Sequence, residues 1–115
     1  MALLYRAGTV IWAKMVLDKQ RTNPKNRRVL VVDDFHDTDE EAYCVAITGT
    51  FSYPLPRTSI TLPYSSSQAT RCKSGLTKES VADCTWLVVV HKTEIIERAG
   101  HVNDSYMLQV RSNLP

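Results

Sequence analysis

The sequence predicts a mainly β fold, a small bent sheet or barrel carrying one short helix and a C-terminal helix. Three observations lead there. Segments rich in β-branched and aromatic residues recur at short intervals, at 9–16, 28–34, 43–51, 58–62 and 80–90. The hydrophobic period turns helical only after residue 91. Nothing alternates strand–helix–strand, which argues against a parallel, doubly wound sheet. Five strands and two helices in 115 residues fill a single domain, read as residues 1–115.

The elements follow in order. "TVIWAKMV" (9–16) is the first strand. Residues 17–27 read as a loop, because Asn23-Pro24 is a turn signal and Pro24 breaks either regular structure. "RVLVVDD" is apolar on both faces in its middle, so it belongs at the centre of the sheet. "YCVAITGTF" is the third strand, ended by Pro54 and Pro56, and "TSITL" alternates like an edge strand. The Ser-rich "PYSSSQATRCKSG" is a loop, and "SVADCTWLVVV" the fifth strand. "KTEIIERAG" has Thr93 as N-cap and Gly100 as stop signal, hence a short helix. In "NDSYMLQVRSNL", Asn103 or Asp104 caps a C-terminal helix with Met107, Val110 and Leu114 at helical spacing.

The net charge of +2 hides a separation. Residues 14–28 carry Lys14, Lys19, Arg21, Lys25, Arg27 and Arg28 against Asp18 alone, whereas residues 33–41 carry Asp33, Asp34, Asp37, Asp39, Glu40 and Glu41. A basic and an acidic loop thus flank one strand, and the basic pole is a plausible anion site. No apolar run reaches membrane-spanning length, and the first ten residues lack a signal-peptide pattern, so a cytoplasmic protein is expected.

Metal and nucleophile chemistry find little support. Cys44, Cys72 and Cys84 show no CxxC spacing, and their odd number does not suit a disulfide framework. Cys44 and Cys84 read as buried thiols and Cys72 as exposed between cations. His36, His91 and His101 share no spacing with one another or with a cysteine, and each reads as a surface or boundary residue. The four glycines are isolated, so no phosphate-cradling loop is present. By composition Arg27 is a solvated strand-end charge and Thr48 an ordinary strand former, and the sequence does not place them together.

An ordered set of short motifs adds to this reading. "YRAGTVIWAKM", "NRRVLVV", "CVAITGT" and "GLTKESV" before "WLVVV" resemble, in order over roughly residues 5 to 112, the MazF/PemK family of toxin endoribonucleases. The resemblance implies an antiparallel SH3-like barrel, a homodimer, and cleavage of single-stranded RNA without metal or other cofactor. It also implies a toxin–antitoxin pair, with an antitoxin peptide laid across the RNA groove.

Carried over, Arg27 takes the place of the catalytic arginine and Thr48 that of the catalytic hydroxyl residue. Gly8 matches the opening glycine and Ser80 the serine of the "L-x-K-x-S" segment. A guanidinium offers fixed, paired donors to phosphoryl oxygens and suits a reaction in which the ribose 2′-oxygen attacks its own phosphate. Further RNA contacts are expected from Lys25, Arg28, Thr50, Tyr53, Arg57 and Ser80. Phe51 and Tyr64 are further stacking faces, and Arg71 and Lys73 further backbone contacts. Trp12 and Trp86 read as core.

Two departures stand out. Arg28 occupies the place of the family's proline, either adding a phosphate contact or pairing with Asp33 or Asp34. The 17–27 loop lacks the family's Gly- and Glu-rich pattern. The general base stays open among Asp18, Asp33 and His36. A second reading is the same barrel with catalysis lost, binding RNA or a peptide partner.

Overall fold

The computed structural model describes residues 2–67 and 72–115. Its strands are β1 (Leu3–Tyr5), β2 (Thr9–Val16), β3 (Lys25–Val31), β4 (Phe35–His36), β5 (Glu41–Thr48), β6 (Ser59–Leu62), β7 (Ser80–His91) and β8 (Ile95–His101). A 3₁₀ turn spans Lys92–Glu94 and the helix α1 spans Asp104–Ser112. Six strands form an antiparallel sheet in the order β6-β7-β5-β3-β2-β8, and β1 pairs with β4 beside it. Mainly β architecture with antiparallel pairing and a C-terminal helix is thus what the sequence predicts.

β3 is central, as its two-sided apolar middle requires. Strand residues alternate between faces, so Leu30 joins Val10, Val45, Ile60, Ala82 and Cys84 on one side. Met107 and Val110 of α1 cover that cluster. Val29 and Val31 join Ile11, Ala13, Phe35, Cys44 and Val90 on the other. There β1 and β4 contribute Tyr5 and Phe35, whose rings stack 6.2 Å apart. The bulge between Val45 and Ala46 in the β5–β7 pairing supplies a local bend.

Gly8 joins the two ends of this arrangement. Its N–H donates to Val31 O at 2.8 Å and its carbonyl accepts from Val102 N at 2.9 Å. Its φ of 97° favours glycine, and a Cβ there would lie 3.0 Å from Val102 O.

The segment 92–100 departs from the expected helix. After the 3₁₀ turn, Ile95–His101 runs as β8 along β2, pairing Ala13 with Ile95 and Val10 with Gly100. A nine-residue helix is marginal by itself, whereas β2 has an edge to satisfy and Ile95 and Ile96 are β-branched. The cap is His91 rather than Thr93: its Nδ1 accepts from Thr93 N, and Glu94 accepts from His91 N at 3.0 Å. The C-terminal helix stands as expected, with Asn103 as N-cap accepting from Ser105 N. β3 begins earlier than the sequence suggests, at Lys25, because the β2–β3 ladder extends to Val16 opposite Lys25.

Candidate active site

The β3–β5 ladder pairs Val29 with Ala46, Leu30 with Val45 and Val31 with Cys44. Continued by two residues beyond its last pair, the same register sets Arg27 opposite Thr48. Directly opposed residues share a face, and this face carries Val29, Val31 and Cys44. Lys25 lies two residues before Arg27 and Thr50 two beyond Thr48, at the same end of the sheet.

Arg27 is half-buried and held on three sides. Nε donates to Val16 O at 3.2 Å and Nη2 to Asn23 O at 3.3 Å, and the guanidinium lies 5.1 Å over the Trp86 ring. Two of its five N–H groups are therefore engaged with the carbonyls of Val16, at the end of β2, and Asn23, in the loop, leaving three for a ligand. The Thr48 hydroxyl accepts from Thr50 N at 3.1 Å and lies 3.4 Å from Thr50 O, a local turn that ends β5.

Arg28 lies on the other face, as strand alternation requires. It pairs with neither Asp33 nor Asp34; its guanidinium stacks 4.5 Å over Trp12. Its Nε is buried without a hydrogen-bond partner among the described residues. Trp12 and Trp86 are accordingly half-buried rather than core, since each presents one ring face to a guanidinium. Trp86 also donates from Nε1 to Leu17 O at 3.2 Å, tying the 17–24 loop to β7.

The remaining sequence candidates divide. Arg57 is exposed, and Tyr53 is 66% exposed with its hydroxyl donating to Glu79, a bond that raises its pKa. Phe51 meets Tyr53 edge to face, and Tyr64 is exposed. Ser80 is buried, and its hydroxyl donates to Lys78 O at 2.9 Å at the start of β7. Lys73 is exposed, its carbonyl accepting from His101 N. Arg71 lies outside the described residues.

Of the open general-base candidates, Asp33 and His36 lie beyond the opposite end of β3 from Arg27, and the His36 backbone N–H donates to Asp39. Asp18 is at the near end but accepts from the backbone and hydroxyl of Thr22, which hold its carboxyl below its ordinary value.

One acid was not singled out from the sequence. Asp83, on β7, lies opposite Ala46 and so shares the face of Arg27 and Thr48. It accepts from Lys19 Nζ at 3.1 Å, Thr85 N at 3.0 Å and Thr85 Oγ1 at 2.6 Å. Burial pushes its carboxyl up, but the Thr85 and Lys19 hydrogen bonds and the Lys19 charge outweigh this and hold it below its usual value. An aspartate inside the apolar run "VADCTWLVVV" is the signal that could have marked it.

Beside Trp86 runs a groove of about 450 Å³ lined by Lys14, Met15, Leu17, Lys19, Arg21 and Leu87, among others. It offers a cationic rim and an apolar floor. No group of three or more His, Cys, Asp or Glu residues suited to a metal occurs among the described residues. Burial pushes the Cys44 thiol up to about 12, whereas the Ser74 side chain and backbone lower that of half-exposed Cys72. No helix among the described residues is long and apolar enough to cross a membrane.

Comparison with known proteins completes the assignment. No curated protein matched by sequence. Among solved structures, the chain is similar to Mycobacterium tuberculosis toxin MazF-mt6, at 17% identity and a TM-score of 0.66, covering 92% of this chain and 91% of that one. At that identity the likeness speaks for the fold. A family model matches residues 6–115, and on that match the chain belongs to the PemK-like, MazF-like toxins of type II toxin–antitoxin systems.

Proposed function

We infer that this protein is a metal-independent endoribonuclease that cleaves single-stranded RNA, the toxin of a pair whose antitoxin covers the same groove. The observation that carries the reading is Arg27, held by two carbonyls and the Trp86 face with three donors left; the β3–β5 register, continued past Val29 and Ala46, supports Thr48 as its neighbour. In this reading the fork engages non-bridging oxygens of the scissile phosphate, and the Thr48 hydroxyl positions it. The ribose 2′-oxygen attacks phosphorus, its proton passing to a base. The P–O5′ bond breaks and the 5′-oxygen takes up a proton, leaving a 2′,3′-cyclic phosphate. Membership in the family supports an antitoxin partner, a homodimer and one domain over residues 1–115.

The test is purified protein with mixed-sequence RNA in the presence of a chelator. Discrete cuts bearing cyclic phosphate ends are expected. Salt-sensitive RNA retention with no product would instead favour the inactive binding module.

Trp86 provides a graded check. Trp86→Leu removes the ring under Arg27 and the anchor of the loop, and kcat is expected to fall about tenfold. Trp86→Phe keeps the ring face and is expected to lose less than about threefold. Equal rates for both variants in single-turnover cleavage would show that the ring face is not what orients Arg27.

A further inference from the structure

The face that carries Arg27 and Thr48 also carries a second, built-in cation. Lys19 reaches from the β2–β3 loop to β7, where its Nζ meets Asp83 Oδ2 at 3.1 Å. Asp83 is itself pinned, its Oδ1 accepting from both the backbone and the hydroxyl of Thr85. Its side chain is only 15% exposed, whereas that of Lys19 is 49% exposed. The loop beneath is fastened by the Trp86–Leu17 bond and by Asp18 on Thr22. A surface lysine ordinarily has about 2 kcal/mol of rotamer freedom to lose on binding. Here the Asp83 contact already directs the ammonium before RNA arrives.

The placement is as informative as the bond. Thr48 is opposite Val81 and Ala46 opposite Asp83, so Thr48 and Asp83 are diagonal neighbours across β5 and β7. Their Cβ atoms are about 7 Å apart by ordinary sheet geometry. A carboxylate so near a phosphate position opposes the anion unless it acts through something else. What it holds is an ammonium with three N–H groups, one on Asp83 and two left. Arg28, the more obvious second cation in the sequence, points to the other face and cannot fill this role.

We propose that Lys19, fixed by Asp83, grips a backbone phosphate of single-stranded RNA adjacent to the one held at Arg27 and Thr48. Asp83 is the positioning residue and Lys19 the contact. This rests on the RNA-cleaving reading above.

RNA with 2′-O-methyl riboses cannot be cut, so affinity is read apart from cleavage. Lys19→Gln is expected to bind it about tenfold more weakly whatever its sequence. The dependence of log affinity on log salt becomes shallower by about 0.7, one phosphate contact on a single strand. Lys19→Arg keeps most of the affinity. Lys92→Gln is the control, because Lys92 pairs with Glu40 at the opposite end of β5, and it is expected to change nothing. Asp83→Asn is expected to shift affinity and slope in the direction of Lys19→Gln, since Lys19 is then released to solvent. Unchanged affinity and slope in folded Lys19→Gln, or tighter binding by Asp83→Asn, overturns the proposal while the RNA reading stands. Wild-type protein that binds no RNA overturns both.

Discussion

Replacing Arg27 with alanine is expected to lower RNA cleavage by about 10²–10³ or more, the scale seen when a preorganised transition-state donor is removed. Three contacts hold this guanidinium before any substrate arrives: Val16 O, Asn23 O and the Trp86 face. Its remaining donors act without reorganising, which gives electrostatic stabilisation its size. The same contacts mean that alanine also loosens the loop, so Arg27→Lys serves as the second variant. Lysine keeps the charge but loses the planar fork, and a large loss is expected there too. Single-turnover cleavage beside a thermal melt checks both. Full cleavage in a folded Arg27→Ala protein would remove Arg27 from the chemistry.

Gly100→Ala is expected to cost about 3 kcal/mol of stability, or on the order of 10 °C in melting temperature. A Cβ at Gly100 would overlap the carbonyl of Lys73 and the carbonyl group of Ser74, all backbone atoms. Neither side can yield cheaply. Gly100 is paired with Val10 in the sheet, and the next residue, His101, donates its N–H to that Lys73 carbonyl at 2.8 Å. Ser74 is buried, its hydroxyl donating to Pro63 O at 2.6 Å. Exposed Glu97 on the same strand is the control, and Glu97→Ala should stay within about 0.5 kcal/mol. Urea melts of the two variants, read against wild type, decide the matter. A Gly100→Ala midpoint no lower than that of Glu97→Ala would show that the 73–74 segment can move away.

Gly100 also shows where sequence reasoning and structure part. A glycine after "KTEIIERA" has the form of a helix stop, and Thr93 and Glu94 have the form of a helix start. The start signal builds one 3₁₀ turn with His91 as its cap, and Gly100 lies beyond it, within β8. What overrides the helix is non-local: β2 has a second edge, and Ile95–His101 pairs with it. Ser80 illustrates the same limit, since a motif serine can be recognised without revealing that the chain buries it.

The sequence by itself determined the β-rich class, the central position of the "RVLVV" strand, the C-terminal helix with its Asn103 cap, and the family. Each of these rests on local information: side-chain period, capping chemistry, or an ordered series of motifs. Tertiary structure alone decided that β3 and β5 pair from Val29 opposite Ala46 to Val31 opposite Cys44, that Arg27 and Arg28 part to opposite faces, each over a tryptophan, and that Asp83 anchors Lys19. The reason is register. Shifting one strand by one residue turns every side chain to the other face, and that choice is made by packing between residues distant in the chain. Arg27 and Arg28 are neighbours in sequence, yet the pleat of β3 sends them into separate environments.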